Sequence, residues 1–139
     1  MPIQIAGFRL PSGAEGVRGD WTGVVAKEDA EAWGQQVLPG GRFHGLPILA
    51  VGLGVDRLTA EARSVFVQLG TDTTRTRNWM AVVIINPVIR VTANFILRIY
   101  KTKKMRLFAS EEDAVRWLDE RVREDAARLP ETRQPVAPG

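Results

Sequence analysis

The sequence predicts an α/β domain: a mixed, mostly parallel five-stranded sheet with about four helices, in the order β-β-α-β-α-β-α-β-α. Three observations carry that reading. Residues 104–122 join a short alternating strand (Met105, Leu107) to a helix with one apolar stripe, Ala114, Trp117, Leu118 and Val122. Strand-like and helix-like patterns alternate through most of the chain, which implies parallel crossovers. The N-terminal segments instead read as two strands joined by a turn, which puts an antiparallel component at that end of the sheet.

Each element has its own justification. Ile3, Ile5 and Phe8 alternate, Pro11-Ser12-Gly13 turns the chain, and Glu15 to Trp21 reads as the returning strand. Lys27 to Leu38 reads as a helix with Ala26, Ala30, Trp33 and Val37 on one side, acids in its first turn, and Pro39-Gly40-Gly41 as its end. The apolar run Leu46 to Leu53 fits a buried strand. Thr59 can cap a helix over 60–69, with Ala62, Val65, Phe66 and Leu69 inward and Gly70 as its stop. Thr71 to Asn78 is polar and aperiodic, a surface loop, and Trp79 to Ile85 is a strand buried on both faces. Val88 to Tyr100 reads as a third helix whose wide apolar face is Val88, Val91, Thr92, Phe95, Ile96 and Ile99. Ser110, three residues before Asp113, supplies a capping-box-type start for the last helix. A single domain is expected over 1–127, followed by a Pro-rich disordered tail over 128–139.

Composition narrows the chemistry. A chain of 139 residues with 45% hydrophobic and 25% charged residues fits one globular domain. With no cysteine there is no disulfide framework, thiol nucleophile or Cys-ligated metal. The opening Met1-Pro2-Ile3-Gln4-Ile5 has no basic region followed by an apolar core, so no signal peptide is expected and the expected location is cytoplasmic.

Charge is distributed unevenly around a net +3. Between Asp72 and Glu111 there is no acid, yet Arg75, Arg77, Arg90, Arg98, Lys101, Lys103, Lys104 and Arg106 fall there. The helix that follows is acidic. The plainer reading is mutual neutralisation in the fold; the sharper one is a basic face for an anionic partner. No helix-turn-helix or RNA-recognition motif is readable, and no nucleic-acid partner is expected.

No set of residues marks a catalytic centre. His44, the single histidine, lies in a Gly-Arg-Phe-His-Gly loop with no nucleophile and orienting acid marked beside it. One histidine without cysteine makes a zinc site unusual, and no metal or cofactor is expected. Gly52-Leu53-Gly54 follows a strand, but Arg57 stands where a third glycine would complete a dinucleotide fingerprint. Thr71 to Arg77 could hold an anion through hydroxyl and guanidinium groups, and a plain polar loop explains it as well.

The order of elements over residues 3–122 resembles the STAS-like fold of the anti-sigma-factor antagonists. It is more similar still to a bacterial group of STAS-like proteins related to lipid-transfer (CRAL-TRIO) domains. The resemblance rests on Glu61-Ala62-Arg63, on Asn86-Pro87-Val88-Ile89-Arg90, on Asn94-Phe95, and on Phe108 to Leu118 with its acidic helix start and Ala-x-x-Trp-Leu pattern. Antagonists that switch partners by phosphorylation carry an Asp-Ser-Ser-Gly-type loop after the third strand. Here that region reads Gly52 to Thr59 and holds no serine, leaving Thr59 as the candidate hydroxyl, beside its plainer role as a cap.

The resemblance implies a non-catalytic regulatory or scaffolding module acting through protein contacts, the alternative being a small-ligand or lipid-binding domain. The expected partner surface is the outward side of the third helix, Arg90, Asn94, Leu97, Arg98 and Lys101, with homodimerisation through that helix as one use of it. The helix is short for a membrane anchor, so membrane contact is not expected. An internal apolar cavity would favour the ligand-binding alternative.

Overall fold

The computed structural model describes residues 3–73, 78–100 and 104–133, with side chains over 3–69, 78–98 and 104–128. Strands β1 (Ile3–Arg9) and β2 (Glu15–Val25) form the N-terminal hairpin and are followed by α1 (Lys27–Val37), β3 (Ile48–Leu58), α2 (Ala60–Thr73), β4 (Met80–Val83), α3 (Pro87–Tyr100), β5 (Met105–Phe108) and α4 (Glu111–Arg133). The element order is the expected one. The strands lie side by side in chain order, with β1 antiparallel to β2 and every later pair parallel.

That strand order dictates the layers. Each β-α-β crossover steps one strand in the same direction, and crossovers of this kind are right-handed, so α1, α2 and α3 all fall on one face. Among the described residues no further strand follows to constrain α4, which returns across the other face. Side chains sort accordingly along β3: Ile48 and Ala50 join the cluster with Trp33, Ala62 and Ile89, whereas Leu49 and Val51 join Ala114 and Leu118. On β4, Ala81 and Val83 are fully buried against α4.

Local chemistry fixes the ends of the helices. The Asp29 carboxylate accepts the Ala26 N–H at 2.9 Å, which uses the acids expected in the first turn of α1. Ser110 Oγ accepts the Asp113 N–H at 3.3 Å, so the α4 start follows the capping pattern. In the hairpin turn, Gly13 takes φ +94°, a left-handed conformation that other residues adopt only under strain.

Several boundaries differ from the sequence reading. β2 runs past Trp21 to Val25, and the strand expected over Trp79 to Ile85, buried on both faces, is confined to Met80–Val83, with Ile85 exposed. β3 runs on to Leu58 because the long β2 pairs with it through Val25↔Leu58, across two register shifts. α2 continues through Gly70 to Thr73. α4 extends to Arg133, so the expected domain boundary at 127 falls within a helix, and 134–139 lie outside the described residues.

Candidate functional site

The third helix begins where β4 leaves the sheet. Asn86 caps it: its Oδ1 accepts the N–H of Val88 at 2.9 Å and of Ile89 at 3.4 Å, with Pro87 in the first helical position. The Ile84 N–H donates to Phe108 O at 3.0 Å and so ties the same connection to the end of β5. Arg90 curls back and donates from Nη1 to Ile84 O at 2.9 Å. These contacts fix the rotational setting of α3.

In that setting Ile89 and Ile96 are buried, with Ala93 and Leu97 beside them, facing the sheet. Val88 (72% exposed), Val91 (71%) and Phe95 (62%) face outward with Asn94 and Arg98, and Ile85 just before the helix is 57% exposed. The sequence reading is corrected here. Val88, Val91 and Phe95 were expected inside and lie outside; Leu97 was expected on the basic outer rim and is half-buried. Arg90 is half-buried and engaged with the loop, while Asn94 and Arg98 are exposed as expected. The Lys101 side chain, like those of Ile99 and Tyr100, lies outside the described residues. The helix is apolar around most of its circumference, so period alone admits two dockings. The Asn86 cap and the Arg90–Ile84 bond select one.

Beneath α3 lies an apolar pocket of about 110 Å³. Ala50, Gly52 and Val82 form its floor on the sheet, Ile89, Ala93 and Leu97 its roof, and an aromatic wall closes one side. In that wall Trp21 meets Trp33 and Phe66 edge to face, with ring centroids 5.7 and 5.4 Å apart. Among the described residues, no lining side chain carries a charge or a hydroxyl group.

The other candidate residues do not converge on this site. Thr59 is half-buried and caps α2, with its Oγ1 accepting the Ala62 N–H at 3.1 Å while its own N–H donates to Val25 O at 3.0 Å. His44 is exposed in its loop. Among the described residues, no group of three or more His, Asp or Glu side chains is placed to hold a metal ion. Of the Thr71 to Arg77 loop, residues 74–77 lie outside the described residues.

Two polar contacts were not foreseen from the sequence. Asp119, buried on α4, accepts from the Ser12 backbone N–H (3.1 Å) and Oγ (2.6 Å), pinning the hairpin turn to α4. Arg18 on β2 forms a two-pronged pair with Glu111 (2.9 Å each) and also holds Asp20 (2.9 and 3.0 Å). Those hydrogen bonds from Arg18 hold the Glu111 carboxyl below its ordinary value, against a weaker opposing effect of burial. Along α4, Glu112 and Asp113 pair with Arg116, Asp119 with Arg123, and Glu124 with Arg121. These acids are therefore partnered by arginines of α4 itself and of β2. Separations of 93 and 107 residues hid the Arg18 and Ser12 contacts from any local pattern.

A family model described as a domain of unknown function (DUF7793) matches residues 26–122. Among solved structures, the chain is similar to an uncharacterized protein of the DUF3478 family with a SpoIIAA-like fold, from Shewanella loihica PV-4. The identity is 18%, the match covers 84% of this chain and 93% of that one, and the TM-score is 0.63. The fold is thus STAS-like. Comparison with curated proteins gives no match. Among the described residues, no helix is long and apolar enough to cross a membrane.

Proposed function

Since the chain belongs to the DUF7793 family and has a STAS-like fold, a kind of scaffold that hosts unrelated functions, we propose that it works without catalysis, as a regulatory or scaffolding module. Its working surface is the outward face of α3, and its partner there is a second copy of the chain. One observation carries the reading: Ile85, Val88, Val91 and Phe95, 57–72% exposed, lie together on or beside one helical stripe. Scattered exposed apolar residues need no explanation, but a contiguous stripe of large ones marks a contact surface.

Self-association suits the charge pattern. Arg98 lies at one end of the stripe, so in an antiparallel two-fold pair the two Arg98 side chains sit at opposite ends and do not face each other. The proposed compartment is the cytoplasm, with which a chain free of cysteine is compatible.

Sedimentation velocity over a range of concentrations tests the proposal. The wild-type chain is expected to sediment as a dimer at high concentration, and Phe95→Asp as a monomer with an unchanged circular dichroism spectrum. A wild-type monomer throughout, or a dimer indifferent to Phe95→Asp, contradicts it.

The pocket under α3 favours a second reading, in which the module also binds a small apolar ligand. Native mass spectrometry under conditions that keep ligands tests this, through mass beyond that of one or two bare chains.

A further inference from the structure

We infer that the pocket under α3 is a binding site for a compact, uncharged, apolar molecule of about four to six non-hydrogen atoms, and not for a lipid chain. The inference rests on the small-ligand reading above and narrows it to one chemical class.

Volume sets the size. The pocket offers about 110 Å³. An apolar cavity of roughly 150 Å³ takes benzene or xenon, so this one takes a ring of that size only tightly. It is half open to solvent, and a long acyl chain would seat a few carbons there and leave the rest in water.

Lining sets the polarity. Trp21, Trp33 and Phe66 form one wall, and aliphatic side chains of β3, β4 and α3 form the rest. A ligand carboxylate, phosphate or hydroxyl group placed among them would lose its water and find no charged or hydroxyl partner. Water itself is poorly held there, because a buried water needs several polar partners.

Shape comes from three small residues. Ala50 and Gly52 on β3 and Ala93 on α3 leave the room that larger side chains would fill. The edge-to-face packing of Trp21 against both other rings makes the wall rigid, so the pocket is formed before a ligand arrives.

The test uses the full chain with three probes: xenon, benzene and palmitate. Binding is read by xenon NMR, by the fluorescence of the wall tryptophans and by the shift in melting temperature. The expected result is that xenon and benzene bind and raise the Tm of the wild type while palmitate does neither. Ala93→Leu, which fills the roof, should weaken benzene binding by roughly tenfold or more. Should Ala93→Leu fail to fold, Ala50→Val fills the floor in its place. Palmitate binding as strongly as benzene would overturn the size class and leave the ligand reading standing. Binding of neither would overturn both. Benzene binding that survives the filling variants would overturn the location.

Discussion

Arg18 holds two carboxylates, Asp20 beside it on β2 and Glu111 at the first turn of α4, and so couples the hairpin to the helix on the opposite side of the sequence. The Arg18 and Glu111 side chains are 30% and 41% exposed, so water screens the pair and its contribution is modest. Glu111→Gln is expected to cost about 0.5–1 kcal/mol at neutral pH, measured by urea unfolding. Because the folded-state carboxyl is held below its ordinary value, the pair's contribution is full above the ordinary glutamate range. It fades as the pH falls from the ordinary glutamate range through the lowered value, so the gap between wild type and Glu111→Gln should close in acid. Gly19 works by absence. A Cβ there would lie 2.8 Å from Trp33 Cζ3 and 3.3 Å from Trp21 Nε1, rigid rings that cannot swing aside. Gly19→Ala should therefore destabilise by about 1–3 kcal/mol in the same measurement. Neither residue could be assigned its role from the sequence, because the deciding partners, Glu111 and Trp33, lie farther along the chain and no periodicity links them.

The helices show what can be read from a pattern and what cannot. In α1, α2 and α4 one stripe is apolar and the opposite side is charged, so Ala30 and Trp33, Ala62 and Leu69, and Ala114 and Leu118 were placed inward correctly. In α3 Arg90, Asn94 and Arg98 mark a polar side, but the apolar arc is wider than the face the sheet covers, so part of it stays outside. Its rotation is decided by the Asn86 cap and by Arg90 reaching Ile84 O, contacts that leave no trace in periodicity. The same limit shortened β3, since Gly52 and Gly54 read as a strand end, whereas β2 is long enough to pair as far as Leu58. The Thr59 and Ser110 caps were legible, because Ser or Thr just before an apolar-periodic run has one main use, whereas the Asn86 cap was not read from the sequence. Thr59→Ala and Asn86→Ala should each cost about 1 kcal/mol in thermal or urea unfolding, with the fold retained.

Across the molecule, among the described residues, five strands in sequential order put three helices on one face and leave α4 alone on the other. That asymmetry sets the function proposed above. α4 is bound down by Asp119 to the hairpin turn and by Asp125 to Trp79 Nε1 at 2.6 Å. α3 ends the three-helix layer over the β4–β5 side of the sheet, with a pocket under one flank and an apolar stripe on the other. Order of elements and fold class were legible in the chain because each element carries its own pattern and the crossover rule assembles them. The site was legible only as far as the helix that bears it, since which flank faces out depends on tertiary contacts. The inward setting of Leu97 and the outward setting of Val91 underlie both the proposed contact surface and the pocket. Urea unfolding of Leu97→Asp beside Val91→Asp tests that setting most directly. The account predicts that Leu97→Asp loses about 2–4 kcal/mol, by placing a carboxylate against the apolar pocket, while Val91→Asp stays within about 0.5 kcal/mol of a wild-type monomer. The reverse order of losses would mean that α3 is turned the other way, and would contradict the account.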